Sequence, residues 1–162
     1  MTESAHADGA RAGVPVRFGL HLWAAVPVAL VAAAVGVPWL LAHGSIETAF
    51  VVQRGFALAC HQQPGRSLWL FGHPLAVCAR CFGIYLGCSF GLLLTIVQRS
   101  ALRLLAIATA LNVTDLVSET IGLHGNWIEL RFVLGFVFGL AVGLVVTSVA
   151  RRADCATETP QA

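Results

Sequence analysis

The residues between Cys60 and Tyr85 carry most of the chemistry available to this chain. Cys60-His61 and Cys78-Ala79-Arg80-Cys81 hold three of its five cysteines, and His61 and His73 are two of its six histidines. Thiolate sulfur and imidazole nitrogen are soft donors, and three thiolates with one imidazole suit a tetrahedral zinc site. Cys78 and Cys81, at i and i+3 of a helix start, can reach one ion together, and Cys60 can supply the third ligand. His61 is the fourth candidate if the backbone bends beside Cys60, with His73 and Glu119 as alternatives. The same atoms admit a second chemistry. A Cys-x-x-Cys at a helix N-terminus with Arg80 between its thiols favours thiolates that exchange disulfides, with Cys60 as resolving thiol. A plain structural disulfide in an oxidising compartment is the third reading.

The elements that must position these groups belong in a membrane. The 162 residues are 57% hydrophobic and only 11% charged, whereas charged residues make up roughly a quarter of a soluble domain. Lysine is absent, and the net charge of +2 rests on scattered arginines, so a nucleic-acid partner is excluded. A span of about 20 apolar residues crosses the hydrocarbon core, and four segments approach this: about 20–42, 78–97, 104–123 and 127–150. They form one membrane domain over 20–150, between polar tails at 1–19 and 151–162. The expected fold is an all-α membrane protein with four transmembrane helices. The first apolar run lacks a clean small-residue cleavage site and reads as a retained span. Between the first two spans, Ser45 to Ala59 is too short and polar to cross. It is expected to lie at the interface as an amphipathic helix, with Ser45 as its N-cap.

Two patterns organise the spans. Gly83, Gly87 and Gly91 recur every fourth residue in the second, and Gly135, Gly139 and Gly143 do so in the fourth, so these helices should approach closely. The stripes would equally suit a homo-oligomer. In the third span Asn112, Asp115 and Glu119 share one helix face, where ionisable groups in lipid need a partner or a wet cavity. Pairing with Arg80 or Arg131 answers that need, as would a cation path. Arginine counting near the span ends places both termini in the cytoplasm and the Cys/His loop outside.

The motif Cys60-His61-Gln62, Arg66-Ser67, Cys78-Ala-Arg80-Cys81-Phe-Gly83-Ile84-Tyr85-Leu-Gly87, with Asp115, Asn126, Arg131 and Gly135 downstream, resembles a family of small, mostly bacterial integral-membrane proteins known as a domain of unknown function. The resemblance covers about Arg54 to Gly139. Where the family pattern has an aspartate-glycine pair, this chain has Asp115-Leu116. What it implies is location in a cell membrane, several passes through the bilayer and this constellation of residues, with no activity attached.

The expected function is therefore a membrane protein with a Cys/His site at the membrane surface, binding zinc or another soft divalent metal through Cys60, His61, Cys78 and Cys81. Arg66, His73, Arg80, Asp115, Glu119, Asn126 and Arg131 are further site candidates. The rivals are a membrane thiol-disulfide oxidoreductase and a small ion or metal transporter that acts as an oligomer. Whether the protein is an enzyme is left open by these residues.

Overall fold

The computed structural model describes residues 16–94, 100–123, 125 and 127–157. Five helices and a small hairpin follow in the order α1 (Val16–Ala42), α2 (Ile46–Phe56), a single 3-10 turn (Pro64–Arg66), β1 (Trp69–Leu70), β2 (His73–Pro74), α3 (Ala79–Leu93), α4 (Ala101–Thr120) and α5 (Ile128–Thr157).

Helix α1 runs through both Pro27 and Pro38 and stops where glycine permits. Gly44 has φ of +78°, and the amides of Gly44 and Ser45 donate to the carbonyls of Leu41 and Leu40, at 3.2 and 2.9 Å. This is the Schellman termination, which needs a left-handed residue after the helix. Helix α4 ends the same way at Gly122, whose φ is +75°, with Gly122 and Leu123 donating to Glu119 and Ser118. The turn begins at Ile121, so this helix starts and ends three residues earlier than the 104–123 segment, at the same length of 20 residues. Helix α5 continues beyond Ala150 to Thr157, into the stretch read as a tail, because Ala-Arg-Arg-Ala-Asp-Cys-Ala contains no glycine or proline to stop it.

Three helical stretches, Trp23–Ala42, Ala101–Thr120 and Ile128–Arg152, are long and apolar enough to cross a membrane. Helix α3 has 15 residues, or about 22 Å at 1.5 Å per residue, against a hydrocarbon core of about 30 Å. The fourth crossing expected at 78–97 is therefore not met by the described residues. The apolar sequence runs on from Leu86, but the helix extends only to Leu93 and residues 95–99 lie outside the description.

Helices α3 and α5 form the central pair, with α1 packed on α3, α4 on α5, and α2 folded back on α1. The glycine stripes make the central contact. A Cβ at Gly83, Gly87 or Gly91 would come within 3.0 Å of the backbone of α5, and one at Gly135, Gly139 or Gly143 would do so against α3. Backbone atoms cannot yield as side chains do, so only glycine allows this approach. The two stripes face each other inside one chain, which leaves them no free face for a second copy. Asn112 adds a polar tie, donating to the Leu134 carbonyl at 3.0 Å and to Ala108 in its own helix.

A second core lies between α1, α2 and the segment that leads into α3. Ala34, Val37, Ala49, Phe56, Cys60, Ala76 and Val77 are buried together, with Phe82 and Tyr85 against them. Ser45 does stand at the N-cap position of α2, but its side chain makes no capping hydrogen bond. The segment read as a plain loop contains the hairpin. Trp69 pairs with Pro74 and Leu70 with His73, and the Leu75 amide extends the ladder to Leu68 at 2.8 Å.

Candidate metal centre

Cys60 leaves α2 on a hydrogen bond from its own amide to the Phe56 carbonyl, 2.9 Å long. It is buried, 6% exposed, in the core beneath α2. Gln62 then takes a left-handed backbone, φ +50°, steadied by its side-chain amide, which donates to the Gln53 carbonyl at 2.5 Å. That bend turns the chain away from α2 and sends it through the hairpin before it returns at Ala76 and Val77. Cys78 follows as the N-cap of α3, in extended conformation, and Cys81 sits in the first turn of that helix.

The outcome is a convergence of three thiols. The Sγ atoms of Cys60, Cys78 and Cys81 all lie within 4.8 Å of one another, and all three residues are free thiols. The Cys78 amide donates to Cys60 Sγ at 3.2 Å, a bond that orients this sulfur. The three sulfurs can hold a metal ion between them.

The other candidates are placed differently. His61 is exposed and His73 is half-buried on β2; among the described residues neither joins the thiol group. Glu119 is held by Arg131 and, at 3.0 Å, by Arg66. Asp115 is held by Arg80. The carboxylates of α4 thus face guanidinium groups, and the polar stripe on this helix resolves into ion pairs. Arg66 comes from the loop between the thiol clusters, Arg80 from α3 and Arg131 from α5, so the network ties three parts of the site to α4. The burial is deep: the Asp115 side chain is 3% exposed and that of Arg131 5%. Asn126 lies outside the described residues.

Sequence reasoning did not foresee the bond between Arg66 and Glu119, because the two stand 53 positions apart and nothing local to Arg66 signals a partner. It also missed the donation from the Cys78 amide to Cys60. Glu119 was visible as polar, four residues beyond Asp115 on one face, and two arginines rather than one were the answer to its charge.

Residues 60–145, more than half of the chain, match the family described as predicted membrane protein (DUF2085). An uncharacterised protein of Methanocaldococcus jannaschii is 40% identical over 94 residues, covering 54% of this chain and 60% of the relative. The chain thus spans under two thirds of the length of that protein. An uncharacterised protein of Methanothermobacter thermautotrophicus is 31% identical over 102 residues, covering 60% of this chain and 91% of the relative. No solved structure matches. The matched region begins at Cys60 and ends within α5, so it takes in all three thiols, the three ion pairs and the glycine seam: the chain belongs to this predicted membrane protein family (DUF2085).

Proposed function

We propose that Cys60, Cys78 and Cys81 bind zinc or another soft divalent metal ion in a four-span membrane protein. The observation that carries this reading is the mutual approach of the three Sγ atoms to within 4.8 Å. Sulfurs bound to one tetrahedral zinc at about 2.3 Å stand about 3.8 Å apart, so the cluster closes on an ion through movements of about 1 Å. A disulfide needs two sulfurs at about 2.05 Å and leaves the third without a role. Cys60 is 18 positions from Cys78 and is brought to it through a buried core, a convergence that a two-thiol exchange motif does not require. His61, adjacent to Cys60, or a ligand from outside the chain completes the coordination shell. Helix α3 serves as the fourth crossing, its short length compensated by the seam with α5.

Protein purified without chelator under reducing conditions is expected to carry about one metal ion per chain, with slow alkylation of the three thiols until the ion is stripped. Cys60→Ser and Cys81→Ser should each lower metal content at least several-fold. Wild-type protein with no bound metal and three freely reactive thiols would sink the proposal. The contact between Cys78 and Cys81 favours thiol-disulfide exchange as the second reading. That reading gives a different trace: metal below stoichiometry, and a mixed disulfide trapped on one thiol when its partner is serine.

The proposed orientation puts both termini in the cytoplasm and the thiol cluster outside. Reporters fused at Gly65 and Ser100 should accordingly register outside and inside. A cytoplasmic Gly65 would overturn the orientation and place the thiols in a reducing compartment, which weakens the exchange reading more than the metal one.

A further inference from the structure

The hairpin tip presents a second, separate problem. Phe71 and Gly72 are the two residues of the turn, both with positive φ, at +51° and +79°. This is the backbone of a type I′ turn, which asparagine and glycine occupy cheaply and a bulky aromatic does not. Strain of this kind persists where the surroundings compensate it, yet among the described residues Phe71 is left largely bare. It is 60% exposed, beside Trp69 at 59% and Leu70 at 39%. From Ser67 to Val77 the sequence holds no Asp, Glu, Lys or Arg.

Position supplies the missing partner. Both strands pack on α1, one of the helices long and apolar enough to cross the membrane. The chain that returns from β2 buries Ala76 and Val77 in one core with Val37 and Ala34. These lie about 8 and 12 Å back from the end of α1 at Ala42, at 1.5 Å per residue. The hairpin thus projects from the flank of a spanning helix, below that helix's end. Trp39 is exposed on α1, the helix on which the strands pack, and Ile46, Phe50 and Val51 are exposed on α2. Aromatic residues with apolar neighbours and no charge are suited to the boundary between headgroups and acyl chains.

We infer that the Trp69-Leu70-Phe71 tip is a lipid-inserted wedge, seated at the headgroup–acyl boundary beside α1. The ladder and the Leu75 to Leu68 bond pair the inward backbone groups, Pro74 has no amide to satisfy, and at the headgroup level water is at hand for the outward ones. The strained Phe71 is retained because lipid takes up the side chain that the protein leaves bare. This inference is independent of the metal reading.

The test uses full-length protein in phosphatidylcholine vesicles whose acyl chains are brominated at defined depths, with iodide as the aqueous quencher. A variant keeping Trp69 alone, with Trp23, Trp39 and Trp127 changed to Phe, should be quenched several-fold more by shallow brominated lipid than by iodide. The difference between wild type and Trp69→Phe gives the same readout through a single substitution. Phe71→Asn relieves the turn while removing the wedge, so it should keep the fold and raise iodide access to Trp69. Free quenching by iodide without effect of brominated lipid overturns the inference. Protection from both quenchers also overturns it, since the tip would then be covered by protein.

Discussion

Gly139→Ala is expected to lower the thermal midpoint of the detergent-solubilised protein by about 5–10 °C. The added Cβ would meet the carbonyl of Ile84 and stand 2.9 Å from the Cys88 amide nitrogen. Both are backbone atoms within α3, so relief requires the helices to part along the seam. Over-packing of a well-fitted core costs about 1–3 kcal/mol, and about 2–4 °C accompanies each kcal/mol at this chain length. Leucine at the same place should prevent the folded protein from accumulating. Gly36 in α1 supplies the control, since a Cβ there meets nothing within 4 Å. Gly36→Ala should be neutral or stabilising by up to about 1 kcal/mol, because alanine loses less backbone entropy in a helix. Equal midpoints for the two alanine variants would show that the seam does not hold the fold.

The second large effect concerns Glu119. Glu119→Leu strands Arg131, whose side chain is 5% exposed, as a buried cation without its carboxylate. Breaking a buried pair from one side costs about 3–5 kcal/mol, so this variant should fold poorly or not at all. The double variant Glu119→Leu with Arg131→Leu removes both charges and should recover most of the loss. Arg66→Leu is the contrasting case: its side chain is 42% exposed, and Glu119 keeps Arg131. An exposed pair is worth about 0–1 kcal/mol. Denaturation midpoints of wild type, Glu119→Leu, Arg131→Leu and the double variant complete the cycle, with Arg66→Leu measured beside them. Recovery absent from the double variant would mean that Arg131 has a further role beyond balancing Glu119.

The sequence showed the glycine seam plainly because a residue without a side chain, repeated every fourth position, has few uses except close helix contact. The thiol cluster was visible in its members but not in its completeness. The left-handed bend at Gln62 and the exposure of His61 beside Cys60 are properties of backbone path that residue types do not carry. The short α3 was hidden for a related reason. Hydropathy continues smoothly past Leu93, and nothing in it marks where helical geometry gives way. The hairpin escaped notice because Phe71-Gly72 is not the Asn-Gly or Asp-Gly pair that announces such a turn, and Pro74 argues against a strand. Arg66 stood in the motif, but nothing near it in sequence pointed to Glu119 as its partner.

The glycine seam also orders events during synthesis. Helix α3 is too short to cross by itself and carries Arg80 in its first turn, whose carboxylate partner Asp115 belongs to the later α4. Its main packing surface, α5, begins at Ile128, 35 residues after α3 ends. At about 5–20 residues per second the ribosome takes on the order of seconds to deliver it. Through that interval α3 has α1 to pack on but not its seam, and Arg80 waits for α4. The helix that carries Cys78 and Cys81 thus receives its main packing partner only with the last helix to be made, and a chain truncated before α5 has every cysteine of the cluster on a helix that lacks that partner.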